Sequence, residues 1–266
     1  MRRYGWGMVG VVLLLVGMGL VTGCDAEALE IGALQTESTT VELGAAEQVS
    51  AEITMGAGRL EIGGGSDALL EAQFTYNVQG WKPEVSYEVS DGSGRLIVDQ
   101  PDTREGLSFD LDKIRYQWDL ALNEDVPMDL AVTVGAGDSR LELGGLALNR
   151  LGFESGAGDV EIDLRGSTAH DLTVRMGAGD VSVDLSGNWQ QDLSADIKGG
   201  LGRATVILPS ATGVRVQVQG GLGQVNAAGL SRNGDVYTND AYGESGTTLD
   251  INIEGGVGEI NLEMKE

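Results

Sequence analysis

A period of 21 residues constrains the fold of this chain more than any other feature of its sequence. The string G-A-G-D begins at Gly135, Gly156 and Gly177, and each copy continues with residues that alternate between apolar and polar. Alternation with a period of two predicts a β-strand that has one apolar face. Such a strand cannot bury that face alone, so a fixed period of about 20 to 50 residues is typical of units that stack. The repeat therefore predicts an all-β fold built from stacked layers.

Related glycine corners occur on both sides of these three copies. A G-A-G corner begins at Gly56, and corners of the form G-G-L-G or G-G-V-G begin at Gly199, Gly220 and Gly255. Seven corners predict about seven layers, a stack roughly 30 to 35 Å tall at about 4.8 Å per layer. The sequence thus predicts a single-stack β-solenoid, similar to a β-helix, with about 21 residues per rung.

Two stretches interrupt the period. Residues 64–127 contain further alternating segments and are predicted to form an elaborated section that caps the N-terminal end of the stack. Residues 231–247 are predicted to form a second insertion. The last alternating residues, 260–264, are predicted to be the closing strand, with Lys265 blunting its exposed edge.

The first residues of the chain have the layout of an export signal. Arg2 and Arg3 precede an apolar run, Met8–Val21, which is shorter than the roughly 20 residues that span a bilayer as a helix. The run ends in V-T-G-C at Cys24, which resembles the processing box of bacterial lipoproteins. The resemblance implies a signal peptide over residues 1–23, cleavage before Cys24 and lipid attachment to Cys24. The alternative is an uncleaved N-terminal anchor.

The anchor has consequences for the rest of the chain. Residues 24–39 are predicted to be an acidic tether and residues 40–266 the solenoid domain, outside the cytoplasm and held at the cell membrane by the lipid. Asp25 resembles the signal that retains lipoproteins at the inner membrane of two-membrane bacteria. Cys24 is the single cysteine of the sequence, so no disulfide can form within the chain.

The chain is strongly acidic. It has 17 Lys and Arg residues against 41 Asp and Glu residues, a formal net charge of −24. Such a surface repels phosphate backbones and anionic lipid headgroups, which argues against nucleic acid as a partner. The composition favours cations, a basic protein face or a neutral polymer.

Three segments and the repeats that follow them resemble a known family. The segments are Leu69–Val78, Trp81–Val89 and Trp118–Asn123. Together with the G-A-G-D copies they resemble the bacterial toast-rack domain, which is similar to the β-solenoid C-terminal domain of the cell-wall-active antibiotics response membrane proteins. The resemblance implies a solenoid at the outer side of a cytoplasmic membrane and a link to envelope-stress signalling. It provides no catalytic residues to carry over.

Stacking places residues that are 21 apart in one column, and one such column is acidic. Asp138, Asp159 and Asp180 share it. Because calcium takes six to eight oxygen ligands, these aspartates are weak candidates for a metal site. We favour the simpler interpretation, in which they lie at solvated corners and cap backbone N–H groups. No cofactor is predicted.

An enzyme is not predicted. The acidic residues follow the repeat, whereas a glycan-cleaving pair of carboxylates lies at positions of its own in a cleft. His170, the single histidine, lies in a corner next to Asp171, and no nucleophile motif accompanies it. A glycan-cleaving enzyme is therefore the least favoured alternative.

Most aromatic residues in the two interruptions are predicted to pack in the cap and the core, and any that remain exposed are the candidate contacts to a protein or glycan partner: Trp81, Tyr237 and Tyr242. The sequence as a whole predicts a non-enzymatic, lipid-anchored envelope protein whose acidic solenoid is a module for protein interaction or self-association, and the resemblance adds a role in envelope stress. The alternative is a surface protein that binds cations or cell-wall glycan.

Overall fold

The computed structural model describes residues 31–101 and 113–265. Within these two ranges the chain is all β, apart from the short 3-10 turn η1 at Gln79–Trp81. The same ranges contain no helix that is long and apolar enough to cross a membrane.

The strands follow one another closely along the chain. They are β1 (Ile31–Val41), β2 (Gln48–Ala57), β3 (Arg59–Ser66), β4 (Leu70–Val78), β5 (Glu84–Ser90), β6 (Ser93–Asp99), β7 (Tyr116–Asn123), β8 (Met128–Ala136), β9 (Ser139–Glu142), β10 (Leu148–Ala157), β11 (Val160–Asp163), β12 (Asp171–Ala178), β13 (Val181–Asp184), β14 (Leu193–Lys198), β15 (Leu201–Pro209), β16 (Gly213–Ala227), β17 (Ser231–Asn233), β18 (Val236–Thr238) and β19 (Thr248–Lys265).

Hydrogen bonding between neighbours arranges these strands in two faces. On the first face the spatial order is β5–β6–β2–β8–β10–β12–β14–β19–β16–β18–β17. On the second face it is β1–β4–β7–β3–β9–β11–β13–β15–β19–β16. From β2 to β16 every neighbouring pair on the first face is parallel, and a layer consists of one strand on each face joined at a glycine corner.

The offset between paired residues varies along the stack. Leu130 pairs with Leu151, and Leu151 with Leu172, both at an offset of 21 residues. The next step, from Leu172 to Ala195, is 23 residues. The step from β2 to β8 spans 79 residues, because the strands of the long interruption lie between them in the sequence. The 21-residue period therefore describes the middle layers and not the ends.

The order of the last layers corrects the sequence-based prediction. β19, which contains the predicted closing strand, lies between β15 and β16 and pairs in parallel with both. Lys265 consequently lies inside the stack, where it pairs with Pro209 in the ladder and places its ammonium 3.1 Å from Asp184. On the second face, the outermost strand at this end is therefore β16.

The N-terminal boundary also differs from the prediction. Residues 31–39, assigned to the tether, form most of β1, which pairs in antiparallel register with β4 from Gln35 to Val41. The tether prediction rested on the acidic residues of this segment and on its place before the first apolar alternation. β1 forms without such alternation because the β4 backbone provides the ladder. Cys24, the predicted signal peptide and the first residues of the predicted tether lie outside the described residues.

One continuous core runs through all the layers. In each repeated strand the alternate residues are buried: Leu172 and Val174, for example, are 1% and 0% exposed. Leu151, Leu172 and Ala195 form one apolar column across three layers. Parallel stacking of identical patterns thus buries a face that no single layer buries alone.

Tight contact between backbones explains the corner glycines. Gly158 has a φ of +131°, and a Cβ built on it would overlap the carbonyl oxygen of Gly137 in the adjacent layer. Gly179 approaches Gly158 in the same way. Only glycine combines this φ with so close an approach, which is why the corner recurs at every layer.

Candidate interaction surface

The described residues leave four strand edges without a neighbouring strand, and three of them are protected. β5 carries Glu84 and Glu88, β17 is three residues long, and β1 runs through six successive polar residues from Gln35 to Thr40. Charged, polar or very short edges discourage pairing with another chain. These three edges therefore have features that keep a strand of another chain from pairing with them.

The fourth edge has neither charged residues nor a very short strand to prevent such pairing. The second half of β16, residues 222–227, pairs with β19 on one side and with no described strand on the other. From Val216 to Ser231 the chain contains no charged residue. About every second residue of an edge strand points its backbone N–H and C=O away from its one neighbour. We call residues 222–227 the open edge.

Exposed apolar side chains lie beside the open edge. Leu201, Val257 and Leu222 occupy one column at the corners of the last three layers, and they are 60%, 50% and 79% exposed. In the layers before them the same column contains alanine, as at Ala157 and Ala178, which pairs with Leu201. We call the three large residues the apolar corner, and the apolar corner together with the open edge is the open end.

Ion pairs offset part of the negative charge around the open end. Arg203 lies 3.0 Å from Asp180 and 3.4 Å from Glu259. Glu259 also accepts a hydrogen bond from the Asn226 amide, and Lys198 lies 2.7 Å from Glu254. The open end is therefore an apolar and amide-rich surface in a protein that is otherwise strongly acidic.

The acidic column makes bonds to the backbone. An oxygen of Asp138 accepts a hydrogen bond from the Asp159 N–H at 3.4 Å, and Asp159 accepts one from the Asp180 N–H at 3.3 Å. Asp180 accepts from both the backbone N–H and the guanidinium of Arg203. In the described part of the chain, no three His, Cys, Asp or Glu side chains are placed to hold a metal ion. This geometry is that of corner capping.

Two of the three aromatic residues predicted to contact a partner are buried. Trp81 is 7% exposed and packs edge-on against Tyr116, whose hydroxyl donates to the Trp81 carbonyl. Tyr237 is 4% exposed beneath Arg232, which lies 5.4 Å from its ring centre. Tyr242 is 43% exposed. The rings of Trp81 and Tyr237 therefore serve packing, as expected for most of these aromatic residues, and Tyr242 is the one of the three that is exposed enough to stay a candidate contact.

His170 lies in an exposed bend between two strands. Its backbone N–H donates to Asn149 and its carbonyl accepts from Ser194, so the backbone bridges adjacent layers. This position is the corner that the sequence predicted for it.

At the opposite end of the second face, a polar cluster holds β1 to the body. The Tyr76 hydroxyl donates to Glu37 on β1 at 2.7 Å, and the Lys82 ammonium lies 2.7 Å from the same carboxylate. Burial, and then the bond to Glu37, raise the pKa of Tyr76 to about 12. Bonds from Lys82 and Tyr76 lower the pKa of Glu37. The N-terminal edge is thus fixed by a specific hydrogen-bonded network.

Sequence reasoning missed the open end, although a signal was present. The change from alanine to leucine or valine in the corner, and the uncharged run from 216 to 231, are both visible in the sequence. Their meaning depends on β19 lying inside the stack, because only then does β16 become the outermost strand of the second face.

Comparison with known proteins identifies the family. The model of the family described as the N-terminal domain of toast_rack matches residues 30–171 and 153–207, and the chain belongs to this family. The resemblance found in the sequence is thereby confirmed.

A solved structure supports this assignment. A candidate cell adhesion protein from Clostridium sporogenes is 32% identical, with a TM-score of 0.70 over 88% of this chain and 100% of that chain. A candidate adhesin from Bacteroides fragilis is similar over 86% of this chain and 97% of its own, at 12% identity and a TM-score of 0.31, too distant to support an argument. No curated protein matches this chain.

Proposed function

We propose that this protein is a non-enzymatic surface protein that binds another protein through its open end. The similarity to a candidate cell adhesion protein that is 32% identical supports a role in surface contact. Membership in the toast_rack family supports an absence of catalysis, because the resemblance offers no catalytic residues. The acidic column, whose carboxylates bond to the backbone, is part of the scaffold in this proposal.

The single observation that carries the proposal is the combination of an unprotected edge with exposed apolar side chains. Leu222 is 79% exposed at the start of the open edge. A partner that adds a strand there gains main-chain hydrogen bonds, and apolar contact with Leu222 and Val257 adds selectivity. Soluble proteins normally blunt such edges, so an edge left open indicates a binding role.

Two further parts of the proposal concern architecture and anchoring. We take the stacked layers as a single β-solenoid, which the 21-residue offset between β8, β10 and β12 supports.

We also propose that lipid on Cys24 holds the protein at the outer side of the cell membrane, which the V-T-G-C ending supports. Labelling with radioactive palmitate in the wild type, and its loss in Cys24→Ala, tests the anchor. Equal labelling of both would refute it.

The envelope-stress role is a separate part of the proposal, and the family resemblance supports it. Exposure of cells to cell-wall-active antibiotics is expected to raise the amount of the protein or to impair growth of cells that lack it. An unchanged amount together with unchanged growth argues against this role.

The binding role is tested with liposomes that carry the full lipidated chain and a fluorescent dye. They are mixed with cells of the source organism that lack this gene, and the retained fluorescence is measured. We expect retention that trypsin treatment of the cells removes and that Leu222→Lys lowers at least about tenfold, since a buried lysine charge opposes docking. The matched control is Val89→Lys, on the protected edge of β5, where the native valine is 40% exposed. Retention that is clearly above background and equal for both variants would overturn the proposal.

A further inference from the structure

The open end has the properties of a surface that binds itself. We infer that the open edge pairs in antiparallel fashion with the open edge of a second copy of this chain, around a two-fold axis that passes near Val225. The inference rests on the proposed docking role of the open end and specifies one occupant for it.

Charge limits which part of this chain another copy can approach. The chain carries a net charge of −24, so two copies repel each other over most of their surfaces. The stretch from Val216 to Ser231 is uncharged, and the nearby Glu259 and Glu254 are paired with Arg203 and Lys198. A second acidic copy therefore meets less negative charge at the open end than over most of the surface.

The sequence of the open edge is self-complementary. A two-fold axis requires the same patch on both copies, with each residue contacting the symmetry mate of its partner. With the axis at Val225, this residue faces its own copy, and Gln224 faces Asn226 of the other chain. Apolar side chains then meet apolar ones, and amides meet amides. In this register the outward N–H and C=O groups of Val225 bond to the same groups of the second Val225.

Pairing also completes the core at this end. Val225 and Ala227 are partly buried and pack against the core, as do Leu230 and Met264. In the layers further inside, the equivalent column residues are buried: Ile260 is 7% and Leu262 is 2% exposed. The last layer of a stack lacks a neighbour to cover its apolar residues, and terminal units normally carry a polar cap for this reason. The second copy provides that missing cover.

The oligomeric state of the full chain tests the inference. We expect sedimentation equilibrium of the full lipidated chain in density-matched detergent to give a dimer at micromolar concentration. Leu222→Lys is expected to raise the dissociation constant of the dimer at least tenfold, because the two lysines lie near the opposing edges. Val89→Lys, the matched control on β5, is expected to leave the dissociation constant within twofold of wild type. A wild type that stays monomeric at 100 µM overturns the inference.

Cross-linking tests the geometry independently of stability. In the proposed register Gln224 lies diagonally across from its own copy, at about 7 to 8 Å between Cα atoms. Gln224→Cys in intact membranes should give a covalent dimer with a short bismaleimide, and Glu88→Cys on the protected edge should not. The unaltered chain controls for any contribution of Cys24, its only native cysteine. Equal cross-linking at positions 224 and 88 overturns the pairing.

The outcomes separate this inference from the proposed function. If Leu222→Lys dissociates the dimer and cells that lack the gene retain no liposomes, the results support self-pairing and exclude a different protein on those cells as the partner. If those cells retain the liposomes and the chain is strictly monomeric, the results exclude self-pairing and support a different protein as the partner.

Discussion

The middle and the open end of the stack use the same corner in two ways. In the middle, small residues such as Ala157 and Ala178 occupy the corner column. At the open end the column changes to Leu201, Val257 and Leu222, all at least half exposed. The comparison shows that the repeat builds the scaffold, whereas departures from it mark a surface with another purpose.

The largest expected difference concerns the glycines of the two regions. Gly158→Ala is expected to cost about 4 kcal/mol, because the added methyl overlaps the Gly137 carbonyl and the φ of +131° disfavours any side chain. Gly221→Ala at the open end should cost about 1 to 2 kcal/mol, since its nearest neighbour atom would be 3.4 Å away and only its φ of +89° is strained. Urea unfolding of both variants measures the difference. Equal losses would show that Gly221 is packed as tightly as Gly158.

Leucines in the two regions should also respond differently. Leu164 is 0% exposed in the middle of the stack, so Leu164→Ala is expected to cost about 3 kcal/mol through lost burial and a cavity. Leu222→Ala should change the stability of the monomer by less than about 0.5 kcal/mol, because the side chain is mostly in water. Unfolding at low protein concentration, where a dimer dissociates, is the measurement. A large loss for Leu222→Ala would mean that this leucine supports the fold.

The N-terminal edge offers a smaller and pH-dependent effect. Tyr76→Phe removes the hydroxyl bond to Glu37 and should cost about 1 kcal/mol near neutral pH. In the wild type the folded-state pKa of Tyr76 is about 12, above the ordinary value of 10. The stabilisation that this raised pKa represents is therefore complete below pH 10 and is lost as the pH rises from about 10 to 12. Unfolding measured from pH 8 to 11.5 should show a steeper decline in wild type than in Tyr76→Phe, and parallel curves would contradict the assignment.

The smallest expected effect concerns calcium. Because the carboxylates of Asp138 and Asp159 bond to backbone N–H groups, millimolar calcium should leave the melting temperature within about 1 °C. Asp159→Asn keeps an oxygen acceptor and should change stability by less than about 0.5 kcal/mol. A calcium-dependent rise that disappears in Asp159→Asn would instead identify the column as a metal site.

The sequence predicted the middle of the molecule well because there the period and the pairing coincide. The alternation around Leu151 and Leu172 gave both the strand and the register. It did not predict that β19 lies between β15 and β16, because the corners at Gly199, Gly220 and Gly255 carry the same pattern and any of them can stack on another. Which of these strands stacks on β15 depends on how well complete strands pack against each other, and the alternation of apolar and polar residues does not specify that packing.

The same limit applies to the candidate site. Trp81 looked like a contact residue because it lies in an interruption of the repeat, but its packing against Tyr116 is a long-range property. In the sequence Leu222 is one residue of a G-G-L-G corner, and its importance follows from its place in the outermost strand of the second face.

β1 and the open edge lie at opposite ends of the second face. Along the second face, nine strand spacings separate β1 from β16, roughly 43 Å. β1, the first described strand, therefore lies at one extremity of this face, and Leu222 lies at the other. Two copies that pair through their open edges would place their β1 strands nearly 90 Å apart. Such a span is suited to bridging facing cell surfaces or to lying along one of them.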